Sequence, residues 1–324
     1  MKSVPLIGFD VGFGQTKGVS DSGHELCVPS WTARVNDNAM ALDRVNLIVD
    51  EKVHWLVGDD AHRLARARLP EVDSSWYRQP EFRVLTRYIL EQMGTRSARV
   101  VTGLPVRYHA EHKEHLQKTL QSWSSSGINL EVLRIIPQPV GSYFYLAMDD
   151  AGNAQEGFAN TRVGIVDIGG GTVDAIELNH AKVSWTVHAS EPRGVSRAYE
   201  YLHSYIRGKG IAARIADMPS VMAAGQIRDG KQVLSLERPI AEAKRLVVQA
   251  VADIVIDLWT NATSLDALIV TGGGAALCRD ELVKEFSKAR IMIPDAPHLA
   301  NARGYLRAAR HYAGQRSGAR SASA

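Results

Sequence analysis

The sequence predicts an α/β protein of two similar domains, each a mixed sheet flanked by helices, around a central cleft. Three observations predict it. At 324 residues, 45% hydrophobic and 23% charged, the chain is long for one domain and apolar enough for two cores. A pattern near the start, Leu6-Ile7-Gly8-Phe9-Asp10-Val11-Gly12-Phe13-Gly14, returns near the middle as Gly164-Ile165-Val166-Asp167-Ile168-Gly169-Gly170-Gly171. Each copy is an apolar strand, an aspartate at its end, the spacing Asp-x-Gly-x-Gly and an outgoing strand. A repeat of so long a period marks a duplicated domain rather than a solenoid. Around both copies, apolar runs of strand length alternate with runs of helical spacing, as in sheets covered by helices.

In order along the chain, Val4 to Phe9 and Thr16 to Ser20 read as strands about a glycine turn, with a third near Glu25 to Val28. From about Pro29 to Arg68, short strands (Asn46 to Val49, His54 to Val57) mix with polar turns. Phe82, Leu85, Tyr88, Ile89 and Met93 recur at helical spacing, which predicts a helix over Pro80 to Met93. Ala98 to Leu104 is a buried strand ended by Pro105, His109 to Trp123 a helix, Leu130 to Ile136 a strand and Val140 to Met148 a helix. The polar, glycine-bearing stretch Asp149 to Thr161 is a linker. The pattern then restarts with strands at Val163 to Asp167, Thr172 to Leu178 and Lys182 to His188. Helices follow at Val195 to Ile206, Pro219 to Ala224 and Ile240 to Trp259. Leu265 to Thr271 is a late strand running into a Gly272-Gly273-Gly274 turn. A helix from Arg279 to Lys288, a strand at Ile291 to Ile293 and a helix near Asn301 to Tyr312 close the fold. Domain I is therefore expected at 1–148 plus 298–314 and domain II at 149–297. From Gln315 the chain is Ser, Gly, Ala and Arg without apolar periodicity, so 315–324 is expected to be a disordered tail.

A net charge of +3 demands no polyanionic partner, and no direct specific nucleic-acid binding is expected. The two cysteines, Cys27 and Cys278, lack metal-ligand spacing or a disulfide framework, which fits a reducing compartment. The start, Met1-Lys2-Ser3-Val4-Pro5, lacks a signal-peptide pattern, and no run reaches the ~18 apolar residues of a membrane span. A cytoplasmic protein without membrane contact is the expectation.

The repeated turns carry the chemistry. A glycine-rich reversal between strands lets successive backbone N–H groups converge where residues bearing a Cβ would block close approach of a phosphate. Gly12 and Gly14 form one such cradle and Gly169, Gly170 and Gly171 the other, with Thr16 and Thr172 as hydroxyl donors and Lys17 as a point charge for the β- or γ-phosphate. Two opposed cradles would clamp a polyphosphate. Asp10 and Asp167, one at the base of each, suit Mg2+, which takes few carboxylates beside phosphates and water. Phosphoryl transfer to water needs a polar group to orient the attacking water, and Gln138, in Pro137-Gln138-Pro139 at a helix start, is the candidate. Taken singly, an Asp-x-Gly-x-Gly is a hairpin turn more often than a phosphate site, and Lys17 and Gln138 would be ordinary surface residues. The order and duplication make them one nucleotide-binding constellation.

Other features read more plainly as structure. His109, His112 and His115 stand three apart on a helix among Glu111, Lys113 and Glu114, a solvated face rather than a metal site. Arg63, Arg66 and Arg68, and Arg303, Arg307 and Arg310, read as wet surface, and Trp31, Trp55 and Trp76 as core.

These motifs resemble the signature of the actin, heat-shock chaperone and sugar kinase superfamily. Asp10 to Lys17, Gln15 included, resembles its first phosphate motif and Asp167 to Asp174 its second. Leu268 to Ala275, with Gly272, Gly273 and Gly274, resembles its adenosine motif, in which glycine backbone lies against base and ribose. Gln138 lies in what resembles the first connecting segment, and Asn301-Ala302-Arg303-Gly304-Tyr305 resembles the second. The resemblance implies a duplicated actin-like ATPase fold, two α/β domains with mixed sheets around a central nucleotide cleft. Within the superfamily, Gly8 to Lys17, Thr102-Gly103-Leu104-Pro105-Val106 and the Asn-Ala-x-Gly-Tyr ending are most similar to the ParM/StbA plasmid-segregation actins and short archaeal actin-like proteins.

That group implies an ATPase, some members taking GTP, that self-associates into nucleotide-dependent filaments and binds an adaptor on plasmid centromeric DNA. The group often has glutamate where this chain has Gln138; glutamine orients water but is no base, and Asp167 is the alternative acid/base group. Three rival readings stand beside it: a small-molecule kinase of the same fold, a chaperone-like ATPase, and a non-polymerising regulatory ATPase. The kinase would need an aspartate base near Gly103-Leu104-Pro105, where Arg107 stands, and the chaperone a substrate-binding domain after residue 314.

Overall fold

Strand β1 (Leu6–Val11) organises the first half, because every residue after its first is buried. The structure, a computed structural model, describes residues 4–35, 46–64, 75–230 and 232–321, with side chains described through 315. A tight turn returns β1 into β2 (Gln15–Ser20), and β3 (Glu25–Pro29) adds on the far side of β2, both pairings antiparallel. β4 (Thr32–Val35), β5 (Leu47–Asp50) and β6 (Val53–Val57) form a separate antiparallel sheet in the order β4-β6-β5, followed by α1 (Asp59–Leu64). Helix α2 (Pro80–Gln92) begins on a proline, tolerated there because the first-turn N–H groups have no intrahelical partner. β7 (Ser97–Leu104) then pairs parallel with β1, α3 (Val106–Ser122) crosses over, β8 (Asn129–Pro137) pairs parallel with β7, and α4 (Gln138–Ala147) follows. The sheet order is β3-β2-β1-β7-β8: short connections give hairpins, and helical crossovers give parallel neighbours. Ile7, Phe9, Leu85, Ile89, Val100 and Leu116 pack into one core there.

The second half repeats this plan. β9 (Arg162–Ile168), β10 (Val173–Asn179) and β11 (Lys182–Glu191) are followed by α5 (Ser196–Gly208), α6 (Met218–Ala224), the hairpin β12 (Gln226–Asp229) with β13 (Gln232–Ser235), and α7 (Glu237–Trp259). β14 (Ala267–Thr271) pairs parallel with β9, then come α8 (Gly273–Leu277), α9 (Arg279–Glu285) and β15 (Ile291–Met292), parallel to β14. The order β11-β10-β9-β14-β15 matches the first sheet strand for strand, so the repeat read in the sequence is a repeat of topology. Val166, Ile168, Leu202, Val247, Val251 and Leu268 lie in its core.

Helix α10 (Ala300–Ser321) closes the chain. The chain divides into two compact units, Met1–Thr161 with Leu178–Val183 and Leu299–Ala324, and Arg162–Glu177 with Ser184–His298. α10 runs to Ser321, past Gln315, where the sequence predicts order to end; residues 322–324 lie outside the described set. Alanine, arginine and glutamine are good helix formers, and an established helix propagates without an apolar stripe. Gly273 and Gly274 open α8 rather than a turn, and the β12–β13 hairpin, with its short polar strands, leaves no periodic signal in the sequence. Among the described residues, no helix is long and apolar enough to cross a membrane.

Candidate functional site

In the first unit, Asp10 is the last residue but one of β1, directly across from Lys17 of β2. Asp10 is only 3% exposed. The Lys17 ammonium donates to its Oδ2 at 3.2 Å, and the Gln138 amide Nε2 donates to its Oδ1 at 3.0 Å. Gln138 is the first residue of α4, at the end of β8, and the parallel set β1-β7-β8 brings that end beside the end of β1. Three residues chosen for nucleotide chemistry thus form one hydrogen-bonded cluster, in which a buried charge is paired and capped.

The turn itself is braced from behind by a residue the sequence reading missed. Gly12 N–H closes the turn on the Gln15 carbonyl at 3.1 Å. Ser30 donates its hydroxyl to the Gly12 carbonyl at 2.6 Å, and its backbone N–H donates to the Gly14 carbonyl at 3.1 Å. In a planar trans peptide the N–H points opposite to the C=O, so these bonds aim the N–H groups of Phe13 and Gln15 away from Ser30. Thr16 departs from expectation: it is fully buried, and its hydroxyl lies 2.9 Å from Ser30 Oγ. Because the Ser30 proton goes to Gly12, Thr16 donates to Ser30 and supports the turn from within. The alternation of β2 that exposes Gln15 turns Thr16 inward. A cavity of about 30 Å³, room for one water, is lined by Gly12, Phe13, Trp76, Tyr77 and Gln138 among others.

The second unit builds its turn by a similar device. Asp167 is 8% exposed, next to the end of β9. Gly169 N–H closes the turn on the Thr172 carbonyl at 2.8 Å. The carbonyls of Gly169, Gly170 and Gly171 accept from the N–H groups of Val195, Ser196 and Gly194 at 3.0, 2.8 and 3.2 Å. Three successive carbonyls drawn to one side aim the N–H groups of Gly170, Gly171 and Thr172 to the other. Gly194, also missed in the sequence reading, is required: a Cβ there would sit 2.6 Å from the Gly169 oxygen. The Thr172 hydroxyl donates to Asp174 Oδ2 at 2.8 Å, so it too is engaged within the turn. Gly272, at φ +87°, brings the β14–α8 connection onto this turn, where a Cβ would fall 2.3 Å from Asp167 Oδ1. Gly272, Gly273 and Gly274 are therefore assembled with Asp167, at the end of the paired strands β9 and β14.

Cys27 lies across β2–β3 from Lys17; burial pushes its thiol up and the Lys17 charge opposes that. Burial likewise pushes Cys278 up to about 12. His109 is buried with Nε2 3.1 Å from the Ile135 carbonyl, and desolvation holds its pKa low; His112 Nδ1 lies 3.2 Å from the Tyr77 hydroxyl. Among the described residues, no three His, Cys, Asp or Glu side chains cluster as a metal cage. Arg63 pairs with Asp60, whereas Arg66 and Arg68 lie outside the described residues. Arg303 pairs with Glu25, and Arg307 and Arg310 hold the Met148–Asp150 segment, so these three work within the unit rather than as free surface. Trp31, Trp55 and Trp76 are buried.

Residues 8–141 match the family described as the N-terminal domain of actin-like proteins. Residues 165–284 match that of the archaeal actin homologue MreB-like, C-terminal. Among solved structures, the chain is similar to a non-polymerisable quadruple mutant of pCBH ParM, at 19% identity over 97% of this chain and 100% of that one, with TM-score 0.76. It is similar to Ta0583, an archaeal actin homologue, in complex with ADP, at 20% identity over 94% and 99%, TM-score 0.72. It is also similar to ParM of a 15-stranded filament from Clostridium botulinum, at 18% identity over 95% and 99%, TM-score 0.71. No curated protein sequence matches the chain. By its fold and by the domains matched in both halves, the chain is an actin-like protein, similar to ParM and to archaeal actin homologues.

Proposed function

We propose that this chain binds and hydrolyses ATP with Mg2+, and that the nucleotide governs its self-association into filaments. The observation that carries the reading is the buried Asp10 carboxylate held between the Lys17 ammonium and the Gln138 amide, beside a glycine turn whose carbonyls are tied back. The N–H groups of Phe13 and Gln15, and those of Gly170, Gly171 and Thr172, serve as phosphate donors, and Lys17 adds charge. Such donors, fixed before the substrate arrives, stabilise charge on phosphate oxygens without reorganisation. Gln138 orients the attacking water, with Asp167 as the second polar group, and Gly272 to Gly274 lie against the nucleoside.

The donor set fits magnesium. Each Asp10 oxygen already accepts one hydrogen bond, which leaves lone pairs for a cation that keeps most of its waters; Asp10 would hold it. When bound, it supplies positive charge to the phosphates. The similarity to a filament ParM and to an ADP-bound archaeal actin homologue supports nucleotide binding and self-association here. An adaptor-linked role in plasmid DNA segregation, and use of GTP beside ATP, extend the same reading.

The test is phosphate release and light scattering on adding Mg-ATP to the purified chain, for wild type and Gln138→Ala. Wild type is expected to turn over and to scatter above a critical concentration. Gln138→Ala is expected to bind ATP but hydrolyse it about 100-fold more slowly, and to give longer-lived polymers. Turnover without scattering at any salt concentration refutes the filament part; equal turnover in the two proteins removes Gln138 from the mechanism.

A further inference from the structure

α10 docks on α4 at backbone distance, and the contact reaches Gln138, the first residue of α4. Gly304 faces Gly141 so closely that a Cβ on Gly304 would lie 1.7 Å from the Gly141 oxygen. One turn of α4 beyond Gln138, the Ser142 hydroxyl donates to Asn301 Oδ1 at 2.6 Å in a buried bond. Beside these contacts Tyr305 is fully buried, 0% exposed, in a slot left by two glycines. A Cβ on Gly103 would fall 2.0 Å from its hydroxyl oxygen, and one on Gly141 would fall 2.4 Å from its ring. At the end of the slot the Tyr305 hydroxyl donates to the main-chain carbonyl of Gln138 at 3.4 Å.

We propose that Tyr305 is a positioning residue for Gln138, holding the first turn of α4 so that the Gln138 amide stays on Asp10. The inference rests on the hydrolytic role proposed for Gln138. Gln138 is the first residue of its helix and makes its contact with Asp10 through a side chain of three rotatable bonds. Asp10 is held by β1 and by Lys17, whereas the Gln138 end of that contact is fixed only if the backbone of residue 138 is. β8 fixes it from the N-terminal side, through the pairing of Pro137 with Leu104. From the C-terminal side it is fixed by the α4–α10 contact, in which the Tyr305 hydroxyl touches residue 138 itself. Tyr305 reaches no reacting atom. Its effect is on where Gln138 stands, and a small displacement of a water-orienting group costs rate rather than affinity.

The experiment is steady-state Mg-ATP turnover with wild type, Tyr305→Phe, Gln138→Ala, the double variant and Ser142→Ala, with thermal unfolding recorded for each. Tyr305→Phe keeps the ring that fills the slot and removes only the donor. It is expected to lower kcat about 3- to 10-fold, the range of one hydrogen bond, with KM changed less than about 2-fold. In the Gln138→Ala background the same change is expected to cost nothing further, because its effect passes through the missing side chain. Ser142→Ala, which removes a side-chain bond of the same helix pair one turn further on, is expected to lower Tm and to lower kcat less than Tyr305→Phe does. An unchanged kcat in Tyr305→Phe, a full loss repeated on top of Gln138→Ala, or an equal kcat loss in Ser142→Ala overturns the assignment while wild-type turnover stands. Absence of wild-type turnover overturns the hydrolytic reading, and this inference falls with it.

Discussion

Replacing Gln138 by glutamate tests the centre of the candidate site without any nucleotide. The Gln138 amide donates to Asp10 Oδ1 at 3.0 Å, so Gln138→Glu sets one carboxylate against another at that distance. Two unit charges at this separation repel by about 5.5 kcal/mol at an effective dielectric constant of about 20. The Lys17 ammonium, 3.2 Å from Asp10, offsets part of this, and the new side chain can swing outward. A net destabilisation of about 2–4 kcal/mol remains once the lost hydrogen bond is included. The penalty depends on ionisation of the introduced carboxyl, whose folded-state pKa is raised by its neighbour. At about pH 4 it is mostly protonated in both states, and the variant should lose little more than the hydrogen bond. As pH rises past the unfolded-state value near 4.3, the unfolded chain releases the proton first, so stability falls relative to wild type. The deficit is complete above the raised folded-state pKa. Thermal unfolding of both proteins from about pH 4 to about pH 8 is the assay, and the gap in Tm should widen as pH rises from about 4 and level off above the raised folded-state pKa. A gap that is constant with pH, or absent at about pH 8, refutes the placement of Gln138 on Asp10.

Three further outcomes follow from the two turns. Ser30→Ala removes the hydroxyl that ties back the Gly12 carbonyl and accepts from Thr16, and should weaken ATP binding about 3- to 10-fold by calorimetry; unchanged affinity means the turn holds its donors unaided. Gly194→Ala places a Cβ 2.6 Å from the Gly169 oxygen, so the tie to α5 must open; ATP affinity should fall at least 10-fold while Gly157→Ala, at a site with open space, leaves affinity as it was. Equal affinity in the two variants contradicts the phosphate role of Gly169 to Gly171. With an alkylating reagent, Cys27 alone should label, faster as pH rises because its thiol is pushed up, and more slowly with Mg-ATP present because Lys17 lies beside it. Cys278, buried and near 12, should stay unlabelled until the chain unfolds, and protection of neither cysteine by nucleotide counts against a site at Lys17.

Much of this molecule is legible in its sequence because much of it is locally encoded. The turns at Gly12–Gly14 and Gly169–Gly171 are reversals between adjacent strands, and glycine spacing with flanking apolar runs marks such reversals wherever they occur. The identical order of the two five-stranded sheets follows from a duplicated pattern that the sequence displays twice. Gln138 stood out because proline on both sides marks a helix start.

What stayed hidden depends on atoms distant along the chain. Ser30 is one serine among many until β3 carries the chain past the Gly12 and Gly14 carbonyls. The threonine hydroxyls looked like phosphate donors by proximity in sequence, yet strand alternation turns Thr16 inward and Thr172 finds Asp174. Gly194 and Tyr305 show their purpose only against the Gly169 oxygen and the space beside Gly103. By itself the sequence determined most of the strands and helices and the two Asp-x-Gly-x-Gly turns, since backbone preference and apolar period act within a few residues. Only the tertiary structure decided which carbonyls are tied back and which side chains meet Asp10. Those contacts join residues as far as 128 positions apart, and no local preference records a distance closed by packing alone.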